Sequence, residues 1–284
     1  MGRCALSDSP SWPVWVDGEL REPGAPAIAA EDPGYLLGRA VFETLLCDGG
    51  RLEDVDEHLE RLREGATALG IEPPPEELLR RGLEEVRAAL GERRAALRMT
   101  LSPGAPGAGP RLALTTRAAE IPPPDGVAVL LVERAKVAGH FLEGLKTTSR
   151  VRNVLALEAA RAAGCAEALL GSEEGDFVEG TVSNLFAVRD GVLLTPALGR
   201  GCLPGIGRRK VLEAARRLGL EVVEGRVERA DLAEAEEVFL TSSTVRVLPV
   251  TEVRGLRDDL PRGGGALTRR LQRAVEPPPA APEP

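Results

Sequence analysis

Lysine is scarce in this chain. Of 36 basic residues only three are lysine, Lys136, Lys146 and Lys210, and the other 33 are arginine. A surface cation can be either residue, but imine chemistry needs a lysine amine, so each of the three is a candidate for it. Aromatic residues are 3% of the chain, which excludes an aromatic platform for stacking single-stranded nucleic acid. There are two histidines, His58 and His140, too few for a multi-histidine metal site. The four cysteines, Cys4, Cys47, Cys165 and Cys202, lie far apart and show no zinc-ligand or redox spacing. They read as small buried residues. No stretch of about 18 apolar residues is present, which argues against a membrane-spanning helix. A net charge of −8 leaves no basic stripe for nucleic acid. The N-terminus has no basic-then-apolar leader, and Leu6 breaks the myristoylation pattern. These features point to a cytoplasmic protein with no membrane or nucleic-acid partner.

What is present is ordinary for a folded protein: 43% apolar and 28% charged residues in 284 positions, enough for one large or two small domains. Residues 1–12 read as a lead-in without regular structure. Val14–Leu20 reads as a hairpin turning at Asp17-Gly18. Ala40–Cys47 reads as a strand, and Asp54 as the N-cap of a helix with Val55, Leu59, Leu62, Ala66 and Leu69 on one face. A second helix is expected over Glu76–Leu90, and strands over Ala95–Leu101 and Leu112–Thr116. The prolines at 122–124 make 119–125 the expected linker between a small domain, 13–118, and a larger one, 126–272. In the larger part, strands are expected at Val127–Val132, Ala166–Leu170, Phe177–Glu179, Asn184–Arg189, Val192–Leu194, Val238–Thr241 and Val245–Val250. Helices are expected at Arg152–Ala163 and Gly207–Leu218. The Pro/Ala/Glu composition of 273–284 predicts a disordered tail. The mixture is α/β or α+β in two parts.

Five features could carry chemistry. His58 and Arg61 are three apart and share a helix face, where an arginine fork can hold a phosphate. The run Gly201-Cys202-Leu203-Pro204-Gly205-Ile206-Gly207 leads into a helix, whose N-terminal N–H groups and dipole favour an anion. Its spacing matches neither a dinucleotide fingerprint nor a phosphate loop. Thr241-Ser242-Ser243-Thr244 offers hydroxyls at a strand end. Glu179 ends a short apolar strand, and a carboxylate there needs a partner. Lys146 follows Gly144-Leu145. Each alone fits a plain structural role. Together they are the parts of a pyridoxal phosphate site: an imine-forming lysine, a carboxylate for the ring nitrogen, and donors for the phosphate.

The order of these motifs resembles the class IV aminotransferases, the fold-type IV pyridoxal phosphate enzymes that include branched-chain and D-amino-acid aminotransferases and aminodeoxychorismate lyase. The matching stretches are Gly38-Arg39-Ala40-Val41-Phe42-Glu43-Thr44, Glu57-His58-Leu59-Glu60-Arg61-Leu62, Leu145-Lys146-Thr147, Val178 through Phe186, Leu203-Pro204-Gly205-Ile206, and Glu237 through Val250. The resemblance implies a small α/β domain and a larger domain with a barrel-like sheet. It also implies pyridoxal 5′-phosphate as cofactor, an amino acid and a 2-oxo acid as substrates, and a homodimer. Lys146 would bind the cofactor covalently and then move the proton between Cα and C4′. Glu179 would pair with the pyridine nitrogen. Arg61, the N–H groups of Ile206 and Gly207, and the Ser243 hydroxyl would hold the phosphate. Asn184 would buttress the carboxylate side and Phe42 would lie on the substrate side; the substrate carboxylate could be met by the N–H groups near Ser243-Thr244, by Arg39 or by Arg246, among which the sequence does not choose. No metal is implied.

Three departures stand out. Gly207 replaces a threonine of many relatives and removes one phosphate hydroxyl. Phe42 replaces the tyrosine of the D-amino-acid enzymes. Pro103 replaces the arginine that clamps the substrate carboxylate in those enzymes and in many lyases. The expected activity is transamination. Aminodeoxychorismate lyase and, more remotely, a non-catalytic phosphate-ligand binding protein are the alternatives.

Overall fold

The structure is a computed structural model that describes residues 12–25, 27–137, 140 and 142–276. The chain divides into two compact units. The first holds the described residues up to Glu120 together with Lys146–Ser149; the second holds Ile121–Leu145 and everything described from Arg150 onward.

In the first unit the elements are β1 (Val14–Val16), β2 (Glu19–Arg21), α1 (Pro33–Leu36), β3 (Val41–Asp48), β4 (Arg51–Leu52), α2 (Val55–Ala68), α3 (Glu76–Leu90), β5 (Ala95–Ser102) and β6 (Arg111–Ala118). The strands form one antiparallel sheet ordered β2-β1-β6-β5-β3-β4. Alternation along each strand decides what faces the helices. Val41, Leu45 and Cys47 of β3, and Ala95, Leu97, Met99 and Leu101 of β5, pack with Leu59 and Leu62 of α2 and Leu79, Leu83 and Val86 of α3. The Asp17-Gly18 turn joins β1 and β2 as expected, with Asp17 at φ 47°. Two expectations need correction. Asp54 occupies the N-cap of α2 but sits in the left-handed region with no side-chain cap bond. Asp56 and Glu57 in the first turn complement the helix dipole in its place. Trp12, the described end of the expected lead-in, packs against the core and stacks under the Arg93 guanidinium. The rest of that lead-in lies outside the described residues.

One charge breaks the apolar face. Glu43 shares the inward parity of Val41, Leu45 and Cys47 and is fully buried. Arg61 of α2 meets it with two bonds, Nε to Oε1 at 2.8 Å and Nη2 to Oε2 at 2.6 Å, and His58 Nδ1 lies 2.6 Å from Oε2. Burial works to raise the Glu43 pKa, but the hydrogen bonds and charges of Arg61 and His58 outweigh it and hold the carboxyl at about 2.

In the second unit the elements are β7 (Val127–Lys136), α4 (Val151–Ala162), β8 (Glu167–Ser172), β9 (Phe177–Gly180), β10 (Asn184–Arg189), β11 (Val192–Pro196), α5 (Ile206–Arg217), β12 (Val222–Gly225), α6 (Arg229–Glu234), β13 (Glu237–Ser242), β14 (Arg246–Arg254) and α7 (Ala266–Val275). The sheet runs β12-β11-β10-β13-β14-β7-β8-β9, and β9 pairs back onto β10. Six strands therefore close into a barrel, with β11 and β12 attached outside the ring. β7 is parallel to both β8 and β14. Val129, Leu169, Leu185, Val238 and Leu240 fill the interior. The alternate residues Phe186, Val188 and Phe239 face α5 and α7, and Ala168 and Leu170 face α4. Helix α7 corrects the expected disordered tail. Arg273, Ala274 and Val275 form its last turn, and Ala274 and Val275 pack on the core. The tail from 277 lies outside the described residues. Among the described residues no helix is long and apolar enough to cross a membrane.

The Glu43 cluster predicts an acid-limb effect. A carboxyl held near 2 rather than 4.5 contributes stability that is complete above about pH 4.5 and is lost as pH falls through about 2. At about 1.4 kcal/mol per pH unit this is about 3 kcal/mol. Urea titrations from pH 6 to 2 should show Glu43→Gln less stable at pH 6 and losing about that much less on acidification than the parent. Equal losses would remove Glu43 as an acid-labile anchor.

Candidate active site

In the first unit the expected lysine is held by its own backbone. Phe42 donates its N–H to the Lys146 carbonyl at 2.9 Å, and Thr148 donates its N–H to the Ala40 carbonyl at 2.8 Å. Val41 and Thr147 form an antiparallel bridge between them. The Thr148 and Ser149 hydroxyls both donate to the Gly38 carbonyl. Lys146–Ser149 thus docks on the start of β3 through one isolated bridge. The Lys146 ammonium lies 4.7 Å from the Phe42 ring centroid, and the Arg98 guanidinium lies 3.6 Å from it. Phe42 pairs with Thr100, and Arg98 of β5 pairs with Thr44, so Phe42 and Arg98 are diagonal neighbours on the sheet face away from the helices. Sequence reading missed Arg98, whose only signal was the alternation of β5. Arg61 is on the opposite, helix-facing side, fixed by Glu43 as described.

Arg39 does not stand ready for a substrate. Its guanidinium donates to the carbonyls of Leu69 and Gly70 and so caps the C-terminus of α2. Ser102, beside Pro103, is also committed, donating to Asp32 at 2.6 Å.

In the second unit a register shift in β8–β9 decides where Glu179 points. Glu179 lies opposite Leu170 in β8 and opposite Asn184 in β10. Cross-strand partners share a face, so all three lie on the outer side of the barrel wall, at the one residue pair that closes it. Glu179 is buried and both its oxygens are placed: Oε1 lies 2.5 Å from Lys136 Nζ, and Oε2 accepts from the Leu203 N–H at 2.8 Å. Asn184 donates to the Leu203 carbonyl at 2.8 Å, and its Oδ1 lies where a side chain on Gly205 would go, 1.9 Å from an added Cβ. Only glycine fits there, which lets the chain turn into α5 directly over Asn184.

Helix α5 begins at Ile206 with Gly205 as N-cap and no side-chain cap bond. Helix geometry gives the N–H groups of Ile206 and Gly207 no intrahelical acceptor. Gly207 is packed on the backbone of Ser242, whose carbonyl carbon would lie 3.4 Å from an added Cβ. The helix start and the Ser242–Thr244 turn are therefore neighbours, with the Ser242 and Thr244 hydroxyls 3.4 Å apart. The fully buried Thr241 Oγ1 has no hydrogen-bond partner. The turn from Gly180 to Ser183 is organised by buried Glu167, which accepts from the backbone of Ala168, Thr181 and Val182 and from both the Thr181 and Ser183 hydroxyls.

These donor sets suit pyridoxal phosphate. Taken separately, the second unit holds a buried carboxylate that could accept from a ring N–H and first-turn N–H groups and hydroxyls that could meet a phosphate, and the first holds an amine and an arginine. The comparisons agree. The sequence profile described as amino-transferase class IV matches residues 40–253. D-alanine aminotransferase from Bacillus licheniformis is 31% identical over 93% of this chain and 95% of its own length. Branched-chain aminotransferase from Thermoproteus uzoniensis superposes with a TM-score of 0.83 at 28% identity, covering 93% of each chain. 4-Amino-4-deoxychorismate lyase from Pseudomonas aeruginosa gives 0.80 at 33% identity, covering 92% of this chain and 97% of that one. With motif order, barrel and donor set in agreement, the chain belongs to the class IV amino-transferase family, the fold-type IV enzymes that work with pyridoxal 5′-phosphate.

Proposed function

We propose that the chain transfers an amino group between an amino acid and a 2-oxo acid, with Lys146 as the covalent anchor of the cofactor and the proton carrier. The observation that carries this reading is the pinning of Lys146 by four backbone and hydroxyl bonds to the Gly38–Phe42 segment, which holds its amine beside Phe42. When bound, pyridoxal phosphate supplies an electron sink for the bond broken at the substrate Cα. Lys146 would be the group that moves the proton released at the substrate Cα. Glu179, fixed by Lys136 and the Leu203 N–H, would accept from the ring N–H. Arg61 meets the phosphate, together with the N–H groups of Ile206 and Gly207 and the Ser243 hydroxyl. Asn184 acts at one remove, by fixing the 203–205 turn. Arg39 commits its Nε and Nη2 donors to carbonyls at the end of α2, so Arg98 is preferred to it here.

The substrate carboxylate needs a cation, and Pro103 removes the expected one. Arg98 takes that place: it stands against Phe42, on the same sheet face. The Thr244 region is retained as a second donor to the substrate. The reading includes a homodimer, supported by the exposed apolar side chains of Tyr35, Leu36 and Leu37 and of Val151, Leu155 and Val182. It also includes a cytoplasmic setting, which suits the unpaired, buried Cys47, Cys165 and Cys202.

The test is the visible spectrum of cofactor-loaded protein, taken before and after L- and D-amino acids are added without an oxo acid. Loss of the visible band to the pyridoxamine form establishes transamination and names the donor. A band that no donor bleaches, with 4-aminobenzoate formed from aminodeoxychorismate, would replace this reading with the lyase. Arg61→Ala should weaken retention of pyridoxal phosphate by tenfold or more; unchanged retention on dialysis would take Arg61 out of the phosphate site. Arg98→Gln should raise KM for the oxo acid about tenfold with a smaller change in kcat, the pattern of lost uniform binding. An unchanged KM would release Arg98 from the substrate.

A further inference from the structure

Lys136 is one of three lysines in a chain that otherwise uses arginine, and Lys146 accounts for the imine chemistry. The Lys136 ammonium is buried, with 3% of its side chain exposed. It lies 2.5 Å from Glu179 Oε1, 2.7 Å from Glu143 Oε2 and 2.6 Å from the Gly201 carbonyl. An ammonium has three N–H donors, and here each has one acceptor. A guanidinium presents five donors in a planar fork and could not be satisfied by this set. Glu143 in turn takes Arg152 at 2.8 Å on its other oxygen, and Arg152 is 42% exposed. An alternating chain of charge, Arg152–Glu143–Lys136–Glu179, therefore runs from the surface to the candidate ring-nitrogen partner. Its middle is reached because β7 is irregular: the register shifts between Val132 and Lys136, where Arg134 adopts φ 54°.

We propose that Lys136, itself oriented by Glu143, is a positioning residue that keeps Glu179 ionised and aimed, so that the proton shared with the cofactor ring rests on nitrogen. This rests on the reading of Glu179 given above. The physical reason lies in what removal would leave. Glu143 and Glu179 would then face one another without the ammonium between them, Glu143 keeping Arg152, and Glu179 keeping the Leu203 N–H and its interaction with the Arg150 guanidinium, so the group that fixes the aim of Glu179 Oε1 would be gone. Glu179 retains acceptor capacity for that nitrogen, since each carboxylate oxygen has two lone-pair sites and each makes one bond to the groups named here.

The experiment uses the holoenzyme loaded with pyridoxal phosphate labelled with ¹⁵N in the ring. In the parent the ring nitrogen signal should lie at the protonated position. In Lys136→Met it should move toward the neutral position, with cofactor content unchanged and kcat lower by roughly 10- to 100-fold, the usual cost of losing an outer partner. Glu179→Gln should show the same displacement, and Lys136→Met/Glu179→Gln should be no worse than Glu179→Gln, because both act on one proton. If Lys136→Met fails to fold, Lys136→Gln, which keeps a donor but removes the charge, is held to the same outcomes. A signal that stays at the protonated position in the lysine variants while Glu179→Gln moves it overturns the role of Lys136 alone. A signal that Glu179→Gln leaves in place overturns the reading of Glu179, and this proposal with it.

Discussion

A carboxylate withdrawn from water must be met by donors, and the fold is arranged around several that are. Glu43 in the first sheet draws His58 and Arg61 of α2 onto it. Glu167 gathers the backbone and hydroxyls of the turn from Gly180 to Ser183. Glu237 in β13 accepts from the N–H groups of Leu267 and Thr268, and so starts α7 where the chain supplies only glycine as N-cap. Glu179 closes the barrel with Asn184 and ties it to the segment entering α5. Breaking any of these leaves an unpaired charge inside the protein, which is far costlier than the pair is stabilising. That asymmetry makes each carboxylate a fixed point from which neighbouring groups take their places.

The fixed points also explain where chemistry can be put. Arg61 is rigid because Glu43 grips one edge of its guanidinium. The start of α5 is rigid because Asn184 fills the space over Gly205 and bonds the Leu203 carbonyl. Donors that need no rearrangement suit an anion best, and each of these two features is held by neighbours within its own unit.

Much of this was legible in the sequence, and the failures have specific causes. The helices α2 and α3 followed from apolar spacing, and the Asp17-Gly18 hairpin from turn chemistry. The shared face of His58 and Arg61 was readable from their separation of three. The glutamate they serve, 15 and 18 positions away from them on another element, was not. Glu179 could be recognised as a carboxylate in need of a partner. Its partner Lys136 is 43 residues distant and reaches it only through a bulged strand. The bonds of Arg39 to carbonyls 30 residues away were not legible, because they leave no mark on local pattern. Helix α7 was not expected at all, because the proline-rich composition beyond it masked the apolar spacing of Leu267, Leu271 and Ala274.

The excursion of Lys146–Ser149 has a consequence for how such a chain can evolve. These four residues are built into the first sheet, while the residues on either side of them belong to the second unit. A gene fragment ending at Glu120 would encode every named strand of the first sheet and still omit the segment that satisfies the Phe42 N–H and the Ala40 carbonyl. Neither unit can therefore be exchanged by a single recombination event without carrying away or abandoning the lysine. The two halves are bound to be inherited together, and substitutions that suit one must be tolerated by the other.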